Sequence, residues 1–159
     1  MENNYAFIDS QNVNLSIKDQ GWKMNWWKLY KHLVKKYKCS SIYIFIWYIS
    51  KNQRLYTSLQ KIWFILIFKP VLELKSWKTK WNVDAELVLE TMIEFNNFSK
   101  AIIITWDWDF ACLIRHLKSK WKLKKLIVPN INKYSSFLKI EAWGLLDSLT
   151  NKREKLEYK

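Results

Sequence analysis

Short runs of β-branched and aromatic residues alternate with amphipathic segments along most of this chain, and this alternation limits the possible folds more than any other feature. The runs are typical of buried strands: YAFI (5–8), SIYIFIWYI (41–49), WFILIF (63–68), AIIIT (101–105) and LKKLIV (123–128). Between them, apolar residues at helical spacing predict helices over residues 26–37, 52–61, 84–93 and 110–117. Strands that alternate with helices form right-handed βαβ units. We therefore predict a doubly wound α/β fold, a parallel sheet of about five strands with helices on both faces.

The remaining segments carry weaker patterns. The polar residues SQNVN (10–14) predict a loop after the first strand, and residues 72–81 are basic and turn-like. KYSSFLKI (133–140) and EAWGLLDSL (141–149) predict two short helices. A chain of 159 residues has the size of one domain, which we place at residues 1–150, followed by a charged tail at residues 151–159.

The charge of the chain points to a polyanionic partner. Its 27 Lys and Arg exceed its 14 Asp and Glu, which gives a formal net charge of +13. Such a surplus on a small domain favours nucleic acid before membrane, with simple solubility as the alternative.

Neither a membrane span nor a cysteine-based site is indicated. The longest apolar runs are well below the roughly 18 residues that cross a bilayer, and residues 1–9 lack a signal pattern, so we expect no membrane partner and a cytoplasmic location. Cys39 and Cys112 have no metal-binding spacing, and we expect both thiols to be buried.

Acidic residues follow the ends of two predicted strands. Asp9 ends the first strand, while Asp107 and Asp109 follow the fourth. Asp84 opens the helix that leads into the fourth strand, so it starts at the same edge of the sheet. We therefore expect these four carboxylates to lie at one edge.

Crowded carboxylates repel one another unless a cation lies among them. Hard oxygen ligands of this kind suit Mg²⁺ or Mn²⁺. Such an ion can polarise a phosphoryl oxygen and help to generate hydroxide from water, which phosphodiester hydrolysis requires. An acidic site in a basic chain is therefore what a metal-dependent nuclease needs.

Each of these residues also has a purely structural explanation. Asp109 is as well explained by capping the helix that follows it, and Asp84 by a helix-dipole interaction of ~0.3 to 1 kcal/mol. A turn residue at a strand end is the alternative for Asp9 and Asp107. Asn12 either orients a water or a phosphate or only shapes its loop.

The segments YAFIDSQNVN, KWNVDAELVLETM, IIITWDWDFACLI and LIVPN followed by SSFLK resemble the LabA-like NYN domains of the PIN-like nuclease superfamily, over essentially the whole chain. The resemblance implies the strand order 3-2-1-4-5, with the first and fourth strands side by side. It also implies a divalent metal held by Asp9, Asp84, Asp107 and Asp109, with Asn12 assisting. Members of the family are generally regarded as ribonucleases, so the resemblance implies RNA as the substrate.

The tryptophan content departs from the family pattern. The chain has 11 Trp and only 2 Gly, although an α/β fold needs glycine at turns. Our hypothesis is that codons read as glycine in the source have been translated as tryptophan here. The positions where the family pattern or a turn favours glycine are Trp47, Trp63, Trp77, Trp81, Trp106 and Trp108.

The sequence thus predicts a Mg²⁺- or Mn²⁺-dependent ribonuclease, of endonuclease type, that acts on RNA, single-stranded rather than duplex. Lys80, beside the Asp84 segment, is the expected contact to the RNA backbone. The alternative is a non-catalytic RNA-binding or regulatory protein, favoured by the bulky residues beside Asp107. A phosphatase is disfavoured because DSQN (9–12) replaces the D-x-D-[TV] pattern after the first strand.

Overall fold

A six-stranded parallel sheet organises residues 2–70 and 83–159, which are the residues that the computed structural model describes. Its order is β3-β2-β1-β4-β5-β6, and each neighbouring pair is parallel. The predicted α/β class and the order 3-2-1-4-5 are confirmed, with one strand added beside β5. Residues 72–81, with Lys80, Trp77 and Trp81, lie outside the described residues. The strands are β1 Asn4–Asp9, β2 Cys39–Tyr48, β3 Ile65–Pro70, β4 Ala101–Ile104, β5 Leu123–Val128 and β6 Leu146–Ser148.

Helices cover both faces of the sheet, as predicted. One face packs against α1, α2, α3 and α7, and the other against α4, α5 and α6. Successive side chains of β1 alternate between the two faces of the sheet. Ala6 and Ile8 point to the first face and Phe7 to the second, so both hydrophobic layers contain residues of β1. The helices of the described chain are α1 Ser10–Asp19, α2 Trp26–Tyr37, α3 Gln53–Lys61, α4 Asp84–Ile93, α5 Ala111–Ser119, α6 Ser136–Glu141 and α7 Arg153–Leu156.

Residues 10–14 form the start of a helix rather than the predicted loop. The Asp9 side chain accepts a hydrogen bond from the backbone N–H of Asn12 and so caps α1. Val13 and Ile17, one turn apart, are buried against the sheet. The cap and these two contacts outweigh the polar composition of the segment.

The predicted helix over residues 141–149 is wrong, since its second half is the edge strand β6. Gly144 adopts a left-handed conformation (φ 76°) after α6, which stops the helix. The chain then pairs with β5, with Leu146 beside Leu126 and Ser148 beside Val128. The other predicted short helix is confirmed as α6.

The charged residues at the end of the chain fold back onto the domain. Leu156 on α7 is 1% exposed, and its carbonyl accepts a hydrogen bond of 2.8 Å from the N–H of Asn25. The N–H of Tyr158 donates to the carbonyl of Lys23 at 2.8 Å. The domain boundary at residue 150 stays a prediction, but the residues after it pack against α2.

The two cysteines differ in burial. Cys39 is buried, and burial raises the pKa of its thiol to about 12. Cys112 is exposed on the first turn of α5, so the expectation of two buried thiols is wrong for this residue. Position 112 lies on the outer face of α5, since Leu113 and Ile114 fill the inner one.

No helix in the described part of the chain has the length and apolar character needed to cross a membrane.

Candidate metal centre

The candidate site lies at the carboxyl edge of the sheet, where β1 and β4 run side by side. Their register pairs Ile8 with Ile104, so the next residues, Asp9 and Thr105, follow at the same edge. Helix α4 begins with Asp84 and packs against β1 and the turn after β4. These elements bring acidic residues from three distant parts of the sequence to one place.

Three carboxylates converge there. Asp84, Asp107 and Asp109 each offer one oxygen, and these oxygens lie within 4.8 Å of one another. Asp84 and Asp107 are half-buried and Asp109 is exposed. The site is therefore open to solvent on the side of Asp109.

A short turn after β4 positions two of these carboxylates. The Asp107 side chain accepts a hydrogen bond of 3.0 Å from the N–H of Asp109. It thereby caps the short 3₁₀ helix Trp108–Phe110. Phe110 is completely buried and fixes the turn on the domain. The capping explanation for Asp109 is wrong, because Phe110 precedes α5 and no side chain caps that helix.

Asp9 lies beside the three-carboxylate cluster and is 2% exposed. Both its carboxylate oxygens are hydrogen-bonded to Asn12, one to the backbone N–H and the other to the side-chain amide. Burial, together with the charges of Asp84 and Asp107, raises the pKa of Asp9 to about 7 against the lowering effect of the Asn12 hydrogen bonds. Asp9 is thus electrostatically coupled to the cluster.

Thr105 links the end of β1 to the turn after β4 through its hydroxyl. The sequence does not predict it as a site residue. It is fully buried, and its hydroxyl accepts a hydrogen bond of 3.2 Å from the N–H of Asp107. The same hydroxyl lies 3.5 Å from both the Asp9 carboxylate and the Asn12 amide. The only sequence signal was a hydroxyl residue closing the apolar run AIIIT.

The donor set fits a hard divalent cation. In an octahedral Mg²⁺ site with bonds of about 2.1 Å, ligand oxygens lie roughly 3 to 4 Å apart, which is compatible with oxygens gathered within 4.8 Å. Three negative charges at this spacing repel one another, and a cation between them removes the repulsion. The geometry therefore supports Asp84, Asp107 and Asp109 as metal ligands, with Asp9 adjacent.

Comparisons with known proteins agree with this fold. A crystal structure of a protein of unknown function from Vibrio parahaemolyticus matches with a TM-score of 0.81 at 15% identity, over 99% of this chain and 96% of that one. At this identity the likeness shows the fold alone. No curated protein matches the chain significantly. The NYN domain matches residues 5–140. The chain therefore belongs to the NYN domain family, which implies membership of the PIN-like nuclease superfamily.

Proposed function

We propose that this protein is a divalent-metal-dependent ribonuclease of the LabA-like group that hydrolyses RNA phosphodiesters and acts in the cytoplasm. The observation that carries the proposal is the convergence of Asp84, Asp107 and Asp109 at the carboxyl edge of the sheet, in a chain of net charge +13. In doubly wound folds, ligands bind at this edge, where the strand order reverses between β1 and β4.

The proposed ligands of Mg²⁺ or Mn²⁺ are Asp84, Asp107 and Asp109, with Asp9 as the fourth acidic residue of the site. A bound ion would polarise a phosphoryl oxygen and lower the pKa of a water molecule. Asn12 and Thr105 hold the Asp9 carboxylate in place through their hydrogen bonds. Without a metal ion the pKa of Asp9 is raised to about 7, and a cation bound beside it would lower that pKa and favour the carboxylate.

Single-stranded RNA is the proposed substrate, because an open edge site accepts a flexible strand. Trp108 is 61% exposed beside Asp107 and Asp109, where its ring can stack on a base for about 1 to 3 kcal/mol. Lys80 remains a proposed backbone contact, although it lies outside the described residues.

The second candidate is a non-catalytic RNA-binding or regulatory protein. The observation that favours it is the pair of tryptophans that flank Asp107, of which Trp106 is half-buried beside the site. Side chains of this size could exclude a phosphodiester from the carboxylates while the basic surface still binds RNA.

Labelled single-stranded RNA, incubated with Mn²⁺ or with EDTA, separates the two candidates. We expect cleavage with Mn²⁺ only, and its loss in Asp84→Asn with circular dichroism and RNA affinity unchanged. The matched control is Glu90→Gln, which removes a carboxylate from the same helix but outside the cluster and should cleave like the parent. Salt-sensitive binding without metal-dependent cleavage would instead identify the non-catalytic protein.

A further inference from the structure

A groove lined by lysines lies along α2, formed by residues that take no part in the candidate metal centre. Its volume is about 370 Å³. The polar side chains along it come from α2 and α7, and they are Lys28, Lys31, His32, Lys35, Lys36 and Lys155.

The fold builds this groove from two segments that are far apart in sequence. The Lys28 ammonium group donates a hydrogen bond of 2.8 Å to the carbonyl of Glu157, and Met24 forms a β-bridge with the same residue. Leu156, buried against α2, fixes the end of the chain there. Lys155 is therefore held beside the lysines of α2.

The positive charge of the groove is only partly balanced. Lys36 pairs with Asp147 at 3.0 Å, and Glu157 pairs with Arg153. Within residues 2–70 and 83–159, Lys31, Lys35 and Lys155 form no ion pair. Lys31 and Lys35 are one helical turn apart, where like charges repel. An anion in the groove would relieve this repulsion.

An exposed aromatic surface beside the groove suits a nucleotide base. Trp27, 46% exposed, stacks on Tyr30 with 6.0 Å between ring centroids and 5° between planes. The Lys31 ammonium lies 5.2 Å from the Trp27 ring, so this aromatic surface borders the groove.

We propose that this groove is a second contact site for single-stranded RNA, in which the lysines hold backbone phosphates and Trp27 stacks on a base. This proposal rests on the proposed function only in its choice of RNA as the polyanion that binds. Helix α2 packs on one face of the sheet, and α4 and the turn after β4 pack on the other. The groove and the candidate metal centre are therefore formed by different layers. RNA bound here is held outside the carboxylate cluster.

The test removes the three unpaired charges together, in a variant with Lys31→Gln, Lys35→Gln and Lys155→Gln. Affinity for a labelled single-stranded RNA is measured by fluorescence anisotropy in EDTA over a series of salt concentrations. Each lost phosphate contact lowers the salt slope by about 0.7, so we expect a slope shallower by about 2 and an affinity at least tenfold weaker near 0.1 M salt.

The matched control carries Lys61→Gln, Lys120→Gln and Lys139→Gln, which remove the same charge from exposed positions outside the groove. We expect its affinity to fall less than threefold. Equal loss in both variants would show that only total charge matters and would overturn the proposal, as would parental affinity in the groove variant.

The cleavage assay and a vesicle sedimentation assay distinguish failure of the groove proposal from failure of the nuclease proposal. If the protein does not cleave RNA but the groove variant loses affinity, the groove proposal stands and the nuclease proposal fails. If vesicles of phosphatidylserine and phosphatidylcholine sediment the parent but not the groove variant, while RNA affinity is equal in both, the groove binds anionic lipid and the RNA proposal is wrong.

Discussion

At the scale of single residues, Asp9 combines a structural and an electrostatic role. It caps α1 and is buried beside Asp84 and Asp107, and its pKa of about 7 compares with an ordinary value of 3.8. The folded state thus binds the Asp9 proton more tightly than the unfolded state does. Stability from this residue therefore falls as the pH rises from about 4 to about 7.

Asp9→Asn should stabilise the metal-free protein at neutral pH, because the amide keeps the capping oxygen without the buried charge. Three pKa units correspond to about 4 kcal/mol, which sets the upper limit of the gain. Urea denaturation of parent and variant in EDTA, at several pH values, checks this. If the free energies of unfolding of parent and variant differed by the same amount at every pH from 4 to 8, Asp9 would not titrate in this range.

Among the described residues, two tryptophans adopt backbone conformations that favour glycine. Trp63 has φ 81° and is 76% exposed, and Trp121 has φ 58° and is 85% exposed. A left-handed conformation costs a non-glycine residue about 1 to 2 kcal/mol. Trp63 is one of the positions predicted for glycine, whereas Trp121 is not. The predicted turn at Trp47 is wrong, because this residue lies within β2, and Trp106 and Trp108 have no positive φ.

Trp121→Gly should therefore raise the free energy of unfolding by about 1 kcal/mol, measured by chemical denaturation. Trp143→Gly is the control, since Trp143 is 73% exposed but has a negative φ, and glycine there should destabilise. The codon hypothesis itself needs the intact mass of the protein from its source. A mass that includes all 11 tryptophans would refute it.

At the scale of elements, Asp147 on β6 joins three parts of the chain. It accepts hydrogen bonds from Lys36 and Tyr37 at the end of α2 and from Lys152 before α7. Burial opposes ionisation, but these hydrogen bonds outweigh it and hold the pKa of Asp147 well below its usual range. The stabilisation is therefore present above pH 4 and is lost as the pH falls further.

Asp147→Asn should lower the free energy of unfolding by about 2 kcal/mol at pH 7, the usual value for hydrogen bonds to a charged group. Thermal denaturation from pH 7 to pH 2 checks this, and the difference from the parent should shrink below pH 4. A difference that persists at pH 2 would mean that packing, rather than charge, accounts for the loss.

Elements with strong periodicity could be predicted from the sequence, and those that depend on distant contacts could not. β1 to β5 and α2 carry their own apolar patterns, which specify strand or helix locally. α1 depends on the Asp9 cap, and β6 is a strand of three residues that pairs with β5. The acidic residues were predictable because α/β connectivity fixes the edge at which they lie, but Thr105 was not, since its contacts cross between strands.

At the scale of the whole molecule, the end of the chain is part of the packed structure. Leu156 joins the core on the face formed by α1, α2 and α3.

Leu156→Ala should lower the free energy of unfolding by about 2 to 4 kcal/mol, the usual cost of truncating a buried leucine. Glu154→Ala, on the exposed side of the same helix, should change it by less than about 0.5 kcal/mol in the same urea titration. Equal effects would mean that the end of the chain contributes little to the core.

The different burial of the two cysteines offers a practical route to observing the metal. Cys112 is exposed, and its sulfur lies 3.7 Å from the carbonyl of Asp109, whereas Cys39 is enclosed and its thiol stays protonated. A maleimide nitroxide should therefore attach at one position in the native protein without any engineered mutation. Paramagnetic Mn²⁺ bound by the aspartates would then broaden the spectrum of that spin label, so occupancy could be titrated without any substrate.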